Sequence, residues 1–253
     1  MSTVVVCSGK GSPGATFVAT NLAAAMARIR LDVLLLDLDP AGGDICCYLG
    51  LDARHGLYPL LRMEGIPTEP EHLCAEGQVR SGFLAVSGFP EACELGSAET
   101  LVAVLRTAKL CGRTVVADIG RVSEANARLA AEADLVMLVV RPDIVSVLGA
   151  IRALRCLDAA EVPRERVSTI VCGLERRRPG DRAEVADALG MSVLGAVPLD
   201  RKRMRKVLLA QAPISTRRFR RAFGRLASTV QHLLAEPSPV TEAQAPKLVG
   251  AVT

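Results

Sequence analysis

The feature that constrains the chain most lies at its start. A β-branched run, Thr3-Val-Val-Val-Cys7, leads without a linker into Gly9-Lys10-Gly11-Ser12-Pro13-Gly14-Ala15-Thr16, and an Ala-rich pattern with helical spacing follows over Thr16–Ile29. Glycines at both ends let the backbone curl until successive N–H groups converge, and the N-terminus of the next helix adds the positive end of its dipole. A loop built this way between a strand and a helix suits a phosphate, and the usual pattern is G-x-x-x-x-G-K-[S/T]. One defining position departs from it: Ala15 stands where the lysine belongs. The Thr16 hydroxyl sits where a Mg²⁺ ligand would be. Taken alone, the stretch is also compatible with a glycine-rich turn in any α/β protein.

Downstream residues narrow the choice. Leu34-Leu-Leu-Asp37-Leu-Asp39-Pro40 puts two carboxylates at the C-terminal end of a second apolar run, and Val115-Val-Ala-Asp118 ends another in a carboxylate. Ligand sites of open parallel sheets gather at those carboxyl ends. A single carboxylate there is more often a solvated turn residue. Three of them behind the glycine loop, in this order, point to a nucleotide site with Mg²⁺.

The rest of the chain supplies the scaffold. Strands are expected at Thr3–Cys7, Val33–Asp37, Gly82–Ser87, Thr114–Asp118, Leu135–Val140, Ser168–Cys172 and Val193–Val197. Helices are expected at Thr16–Ile29, Ala98–Leu110, Ser123–Ala133, Ile144–Asp158, Asp181–Leu189 and Thr216–Leu234. Several of the strand runs are continuously apolar rather than alternating, as in strands covered on both faces. The βαβα rhythm then implies an α/β fold, a doubly wound and mainly parallel sheet with helices on both faces. Residues 48 to 80, rich in Gly and Pro, read as an excursion of loops and short helices at the sheet edge. Residues 1–234 are expected to form a single domain. The stretch 235–253, with three prolines and no apolar periodicity, reads as a disordered tail.

Composition excludes several classes. With no Trp, two Tyr and five Phe in 253 residues, Ala, Val and Leu must fill the core. The eight cysteines show no C-x-x-C pair and the chain has only three His, which argues against a structural zinc site or a disulfide framework. Reduced thiols serving as small apolar residues in a cytosolic protein are the simpler reading, although adjacent Cys46 and Cys47 could be redox-active. The first ten residues have neither the basic nor the apolar segment of a signal peptide. The longest apolar runs fall far short of the roughly 20 residues that span a bilayer.

The motifs also resemble a family. Lys10-Gly-Ser-Pro-Gly-Ala-Thr16 is similar to the deviant Walker motif K-G-G-x-G-K-[S/T] of the ParA/MinD superfamily of P-loop ATPases, and Asp37-Leu-Asp39-Pro40 to its D-x-D-P element. The likeness continues through Ala133-Asp-Leu-Val-Met-Leu-Val-Val-Arg-Pro142 and Gly190-Met-Ser-Val-Leu-Gly-Ala-Val-Pro198-Leu-Asp200, so it covers most of residues 1 to 230. In detail the chain looks most like the CpaE/TadZ-like branch, whose P-loops are often degenerate and whose members position pilus or secretion machinery or septal sites.

The resemblance implies ATP and Mg²⁺ as cofactors and a nucleotide-sandwich homodimer. It assigns the phosphates to Gly9, Lys10, Gly11, Ser12, Gly14, Ala15 and Thr16, with Lys10 reaching across to the opposite subunit. Mg²⁺ falls to Thr16, Asp39 and Asp118, the orientation of an attacking water to Asp37, and packing against the base to Pro198 and Asp200. Ala15 removes the cis lysine. Phosphoryl transfer depends mostly on positioning and charge, so that loss could cost on the order of 10³-fold in rate, and hydrolysis is expected to be weak or absent. Two further departures are Ile119-Gly-Arg-Val122 in place of a Pro-rich turn, and Val171-Cys-Gly173 where relatives offer an Asn to adenine.

Charge is distributed unevenly. Arg201, Lys202, Arg203, Arg205, Lys206, Arg217, Arg218, Arg220, Arg221 and Arg225 occur between Arg201 and Ala235 with no acidic residue among them, in a chain whose net charge is +4. In Thr216–Leu234 the residues Phe219, Phe223, Leu226, Val230 and Leu233 recur on one face and the arginines fall mostly on the others. An ordinary packed last helix with solvated arginines fits this pattern. So does a docking surface for non-specific DNA, an anionic membrane or an acidic partner. Function is therefore expected to be positioning or scaffolding of the CpaE/TadZ type for a pilus, secretion or division machinery, cytoplasmic and recruited to the membrane periphery. The alternative is an active ParA-type partitioning ATPase on DNA. Synthetases and the nitrogenase iron protein share related folds, but matching cluster cysteines and the loop lysine are missing.

Overall fold

The computed structural model describes residues 2–11, 13–63, 65–88, 97–174, 180–198 and 200–235, the side chains of residues 63, 201, 203 and 207 aside. The proposed tail from 236 onward and Ser12 of the loop lie outside the described residues. In chain order the elements are β1 (Thr3–Ser8), α1 (Ala15–Arg28), β2 (Val33–Asp37), α2 (Ile45–Leu49), α3 (Leu57–Met63), α4 (Pro70–Ala75), β3 (Gln78–Arg80), β4 (Phe83–Val86) and α5 (Ala98–Lys109). There follow β5 (Thr114–Arg121), α6 (Ala127–Ala131), β6 (Leu135–Val140), α7 (Ile144–Ala159), β7 (Val167–Leu174), α8 (Asp181–Leu189), β8 (Val193–Pro198), α9 (Arg201–Ala210) and α10 (Arg217–Ala235).

The fold is α/β and doubly wound. One eight-stranded sheet has the order β3-β4-β2-β5-β1-β6-β7-β8, parallel except for the antiparallel β3–β4 pair. Successive strand residues point to opposite faces, and the two cores divide accordingly. In β1, Val4 and Val6 join α1, α2 and α10 on one side, whereas Val5 and Cys7 join α5, α6, α7 and α8 on the other. β2 and β6 divide in the same way, which is why their sequences are apolar at every position.

Departures from the expected elements have local causes. Over 123–126 a turn replaces the start of the expected helix, because Asn126 accepts from the Ser123 N–H (2.8 Å) and donates to the Ile119 and Arg121 carbonyls. The helix α9 was not expected, and neither was β3. Leu233 is more than a third exposed, so it falls outside the α10 stripe, whose buried members are Phe219, Phe223, Leu226, Ala227 and Val230. Phe219 and Phe223 pack edge-on against Phe17 of α1, with ring centroids 6.0 and 5.8 Å apart. At the sheet margin the Arg80 guanidinium of β3 donates to the carbonyls of Leu49 (3.4 Å), Gly50 (3.2 Å) and Val79 (3.0 Å). No helix among the described residues is long and apolar enough to cross a membrane.

Candidate functional site

β1 is flanked by β5 and β6, so the loop that follows it emerges at the middle of the sheet's carboxyl end. Gly9 is wedged against α7: a Cβ added there would lie 2.2 Å from the Gly149 carbonyl. No side chain fits in that contact. Ser8 Oγ steadies the turn by donating to the Lys10 carbonyl (2.9 Å). Gly14 takes φ +107°, a conformation that favours glycine, and a Cβ there would also meet Cys172 Sγ at 2.9 Å. Gly14 caps α1 without any side-chain hydrogen bond, and no acidic residue occupies the first turn. The leading N–H groups of α1 therefore remain available to an anion.

Beneath the loop stand two carboxylates. Asp37 and Asp118 are directly opposite each other in the β2–β5 ladder, and both are fully buried. Asp37 accepts from the Ile45 N–H (3.1 Å) and the Asp39 N–H (3.4 Å), and Gly43 packs so closely that a Cβ would lie 2.2 Å from its Oδ2. Burial first, then the neighbouring Asp118 charge, raise its pKa well above the ordinary carboxylate value. Asp118 accepts from the Gly120 N–H (3.0 Å) through Oδ1, while Oδ2 finds no hydrogen-bond partner among the described residues. Burial pushes its pKa up to about 6, against the opposing pull of the Thr16 hydroxyl and the Gly120 N–H. Asp39 is half-buried, accepts from the Ala41 N–H (2.9 Å) and is raised by burial.

Above these groups lies a cleft of about 610 Å³. Of the residues expected from sequence, Lys10, Gly11, Gly14, Ala15, Thr16 and Asp39 line it. Gly9, packed against Gly149 of α7, and the buried Asp37 and Asp118 do not line it. Pro198 and Asp200 are not among its lining residues. Lys10 is at the rim, its Nζ 3.7 Å from Asp143 Oδ1. The cleft also takes Asp44, Tyr48, Arg121, Arg141 and Met204, which sequence reasoning missed. Asp44 arrives at the start of α2 and Tyr48 within it. Arg121 and Arg141, inside stretches quoted above but given no role there, arrive at the ends of β5 and β6. Met204 belongs to the unexpected α9.

The basic residues form two groups. Lys202, Arg205 and Lys206 are exposed on α9, and the side chains of Arg201 and Arg203 lie outside the described atoms. Arg217, Arg218, Arg220, Arg221 and Arg225 are exposed on α10. Arg217, Arg220 and Arg221 join Arg28 around a groove against the C-terminal half of α1, the end away from the glycine loop. Among the described residues no cluster of three or more His, Cys, Asp or Glu is arranged to hold a metal on its own. Mg²⁺ commonly uses one or two carboxylates completed by substrate phosphates, and the unpartnered Asp118 oxygen beside Thr16 fits that donor set.

Residues 4–208 match the model of the CobQ/CobB/MinD/ParA nucleotide binding domain. An uncharacterized protein of Mycobacterium tuberculosis is 32% identical over 198 residues, 77% of this chain and 53% of that protein. The chain thus spans about half the length of that relative. Chromosome-partitioning ATPase Soj of Thermus thermophilus is 41% identical over 75 residues, 28% of this chain and 30% of Soj. The ParA family ATPase of Chlorobium tepidum superposes with a TM-score of 0.77 at 18% identity, over 90% of this chain and 98% of that one.

Proposed function

The chain belongs to the CobQ/CobB/MinD/ParA nucleotide-binding family, and from that premise we propose that residues 1–234 act as one domain that binds Mg²⁺-ATP in the cleft and serves as a CpaE/TadZ-type positioning or scaffolding protein. One observation carries the reading. The uncapped N-terminus of α1 and a buried Asp118 oxygen with no hydrogen-bond partner among the described residues accompany a glycine loop in which Gly9 and Gly14 leave no room for a side chain. Thr16 and Asp118 would hold Mg²⁺, with Asp39 at the cleft wall beside them. The ion would supply positive charge to the phosphates.

Weak or absent hydrolysis follows from two features. Ala15 offers the phosphates no charge, and Lys10 stands at the cleft rim, 3.7 Å from Asp143. Asp37 is sealed under Gly43 and the Ile45 N–H, so it fixes the backbone of 39 to 45 in this conformation. Orienting an attacking water, the role implied by resemblance, would require that segment to open. We propose that two copies face each other across their loops, that Lys10 of each then serves the other's phosphates, and that α9 and α10 dock the partner. Such a partner would be part of a pilus, secretion or division machinery. The second reading, a ParA-type partitioning ATPase on DNA, draws on the partial match to Soj and on the exposed α10 arginines.

Calorimetric titration of Mg²⁺-ATP and Mg²⁺-ADP, with light scattering on the same samples, tests the proposal. ATP binding that drives dimerisation with negligible phosphate release is expected. Lys10→Ala should weaken dimerisation more than monomer binding. No binding at millimolar nucleotide removes the nucleotide switch, and rapid DNA-stimulated phosphate release selects the partitioning reading.

A further inference from the structure

The two strands that flank β1 each deliver an arginine to the glycine loop. Arg121 closes β5 and is the register partner of Ser8, the last residue of β1. On the other side Val139 of β6 is opposite Ser8, which puts Arg141 two residues further along, just past the strand end. Both residues line the cleft that holds Lys10, Gly14, Ala15 and Thr16. Burial pushes the Cys172 thiol up against the opposing charge of Arg141, and that thiol packs against Gly14 at the start of α1.

Neither arginine is locked away. Arg121 is exposed. Arg141 Nε lies 3.5 Å from Asp143 Oδ2, and Lys10 Nζ takes the other oxygen of the same carboxylate at 3.7 Å. Ion pairs this exposed contribute little, so a polyphosphate can compete for them. The planar guanidinium is suited to paired contacts with phosphate oxygens.

We infer that Arg121 and Arg141 bracket the glycine loop and supply in cis the positive charge that Ala15 lacks, holding the polyphosphate of a nucleoside di- or triphosphate. The inference rests on the reading of the cleft as a nucleotide site. It also gives the monomer a way to retain phosphates without the lysine that Ala15 replaces.

The test uses calorimetric titration of Mg²⁺-ATP and of inorganic pyrophosphate. The proteins are wild type, Arg121→Gln, Arg141→Gln, the double variant, and a control pair, Arg152→Gln with Arg155→Gln, exposed on α7. Each single variant should bind about tenfold more weakly and the double variant about a hundredfold. The control should stay within about twofold, and the unliganded unfolding midpoints should match. Adding Ala15→Lys to the double variant should recover about tenfold or more. A double variant that binds both probes like wild type, or a loss equalled by the control or carried by one arginine alone, overturns the bracket. If wild type and Ala15→Lys both fail to bind either probe, the nucleotide reading itself falls, a result distinct from failure of the bracket.

Discussion

Asp37 and Asp118 sit opposite each other in a parallel ladder and away from water, so ionising both is costly. The sign follows from Asp118. Its pKa in the fold, about 6, lies above its unfolded value near 3.8. The penalty is absent below about pH 4, where both states are protonated, grows as pH rises between the two values, and is complete above about pH 6. Asp118→Asn should therefore raise stability at pH 7 by on the order of 2 to 3 kcal/mol, with the gain fading toward pH 4. Urea unfolding at the two pH values checks this, and a variant less stable than wild type at pH 7 contradicts it. In sequence both residues were legible as carboxylates ending apolar strands. Their burial and their pairing were not, because these depend on the β2–β5 register. The gap at Ala15 could be read directly. Arg121 and Arg141 could not, since residues twenty apart share a site only through their common neighbour β1.

At the level of elements, α10 separates stability from surface chemistry. Its aromatic stripe on Phe17 is core, whereas its arginines are solvated. Phe219→Ala should cost about 3–5 kcal/mol in chemical denaturation. Replacing Arg218, Arg221 and Arg225 with Gln should leave stability within about 0.5 kcal/mol. The same triple variant should lower affinity for a DNA duplex and flatten its salt dependence if this face meets polyanions. A large stability loss in the triple variant would show that these arginines are structural. The sequence revealed α10 because its apolar residues repeat at helical spacing. It concealed α9, whose described side chains are half-buried or exposed and leave no apolar rhythm. It concealed β3 as well, three residues long and paired on one side only.

For the whole molecule, the cleft collects residues from Ser8 to Met204, so a ligand bound there joins distant parts of the chain. Mg²⁺-ATP at a hundred times its Kd should add about 2.7 kcal/mol to unfolding, in one shifted transition rather than a split one. Thermal scans across nucleotide concentration measure it, and a midpoint that ignores nucleotide contradicts binding to the native cleft. Alternation of βα units made the fold class legible, but strand order was not, because crossovers and packing rather than sequence order decide it. Arg80 at the β3 margin has a consequence for life in a crowded cell. Its guanidinium takes the Val79 carbonyl of the edge strand itself and anchors to the Leu49 and Gly50 carbonyls at the end of α2, which covers part of the rim where a stray chain could add a strand. An incoming chain would then have to displace a guanidinium before it could pair with the Val79 carbonyl, so the open side of the sheet resists unplanned growth.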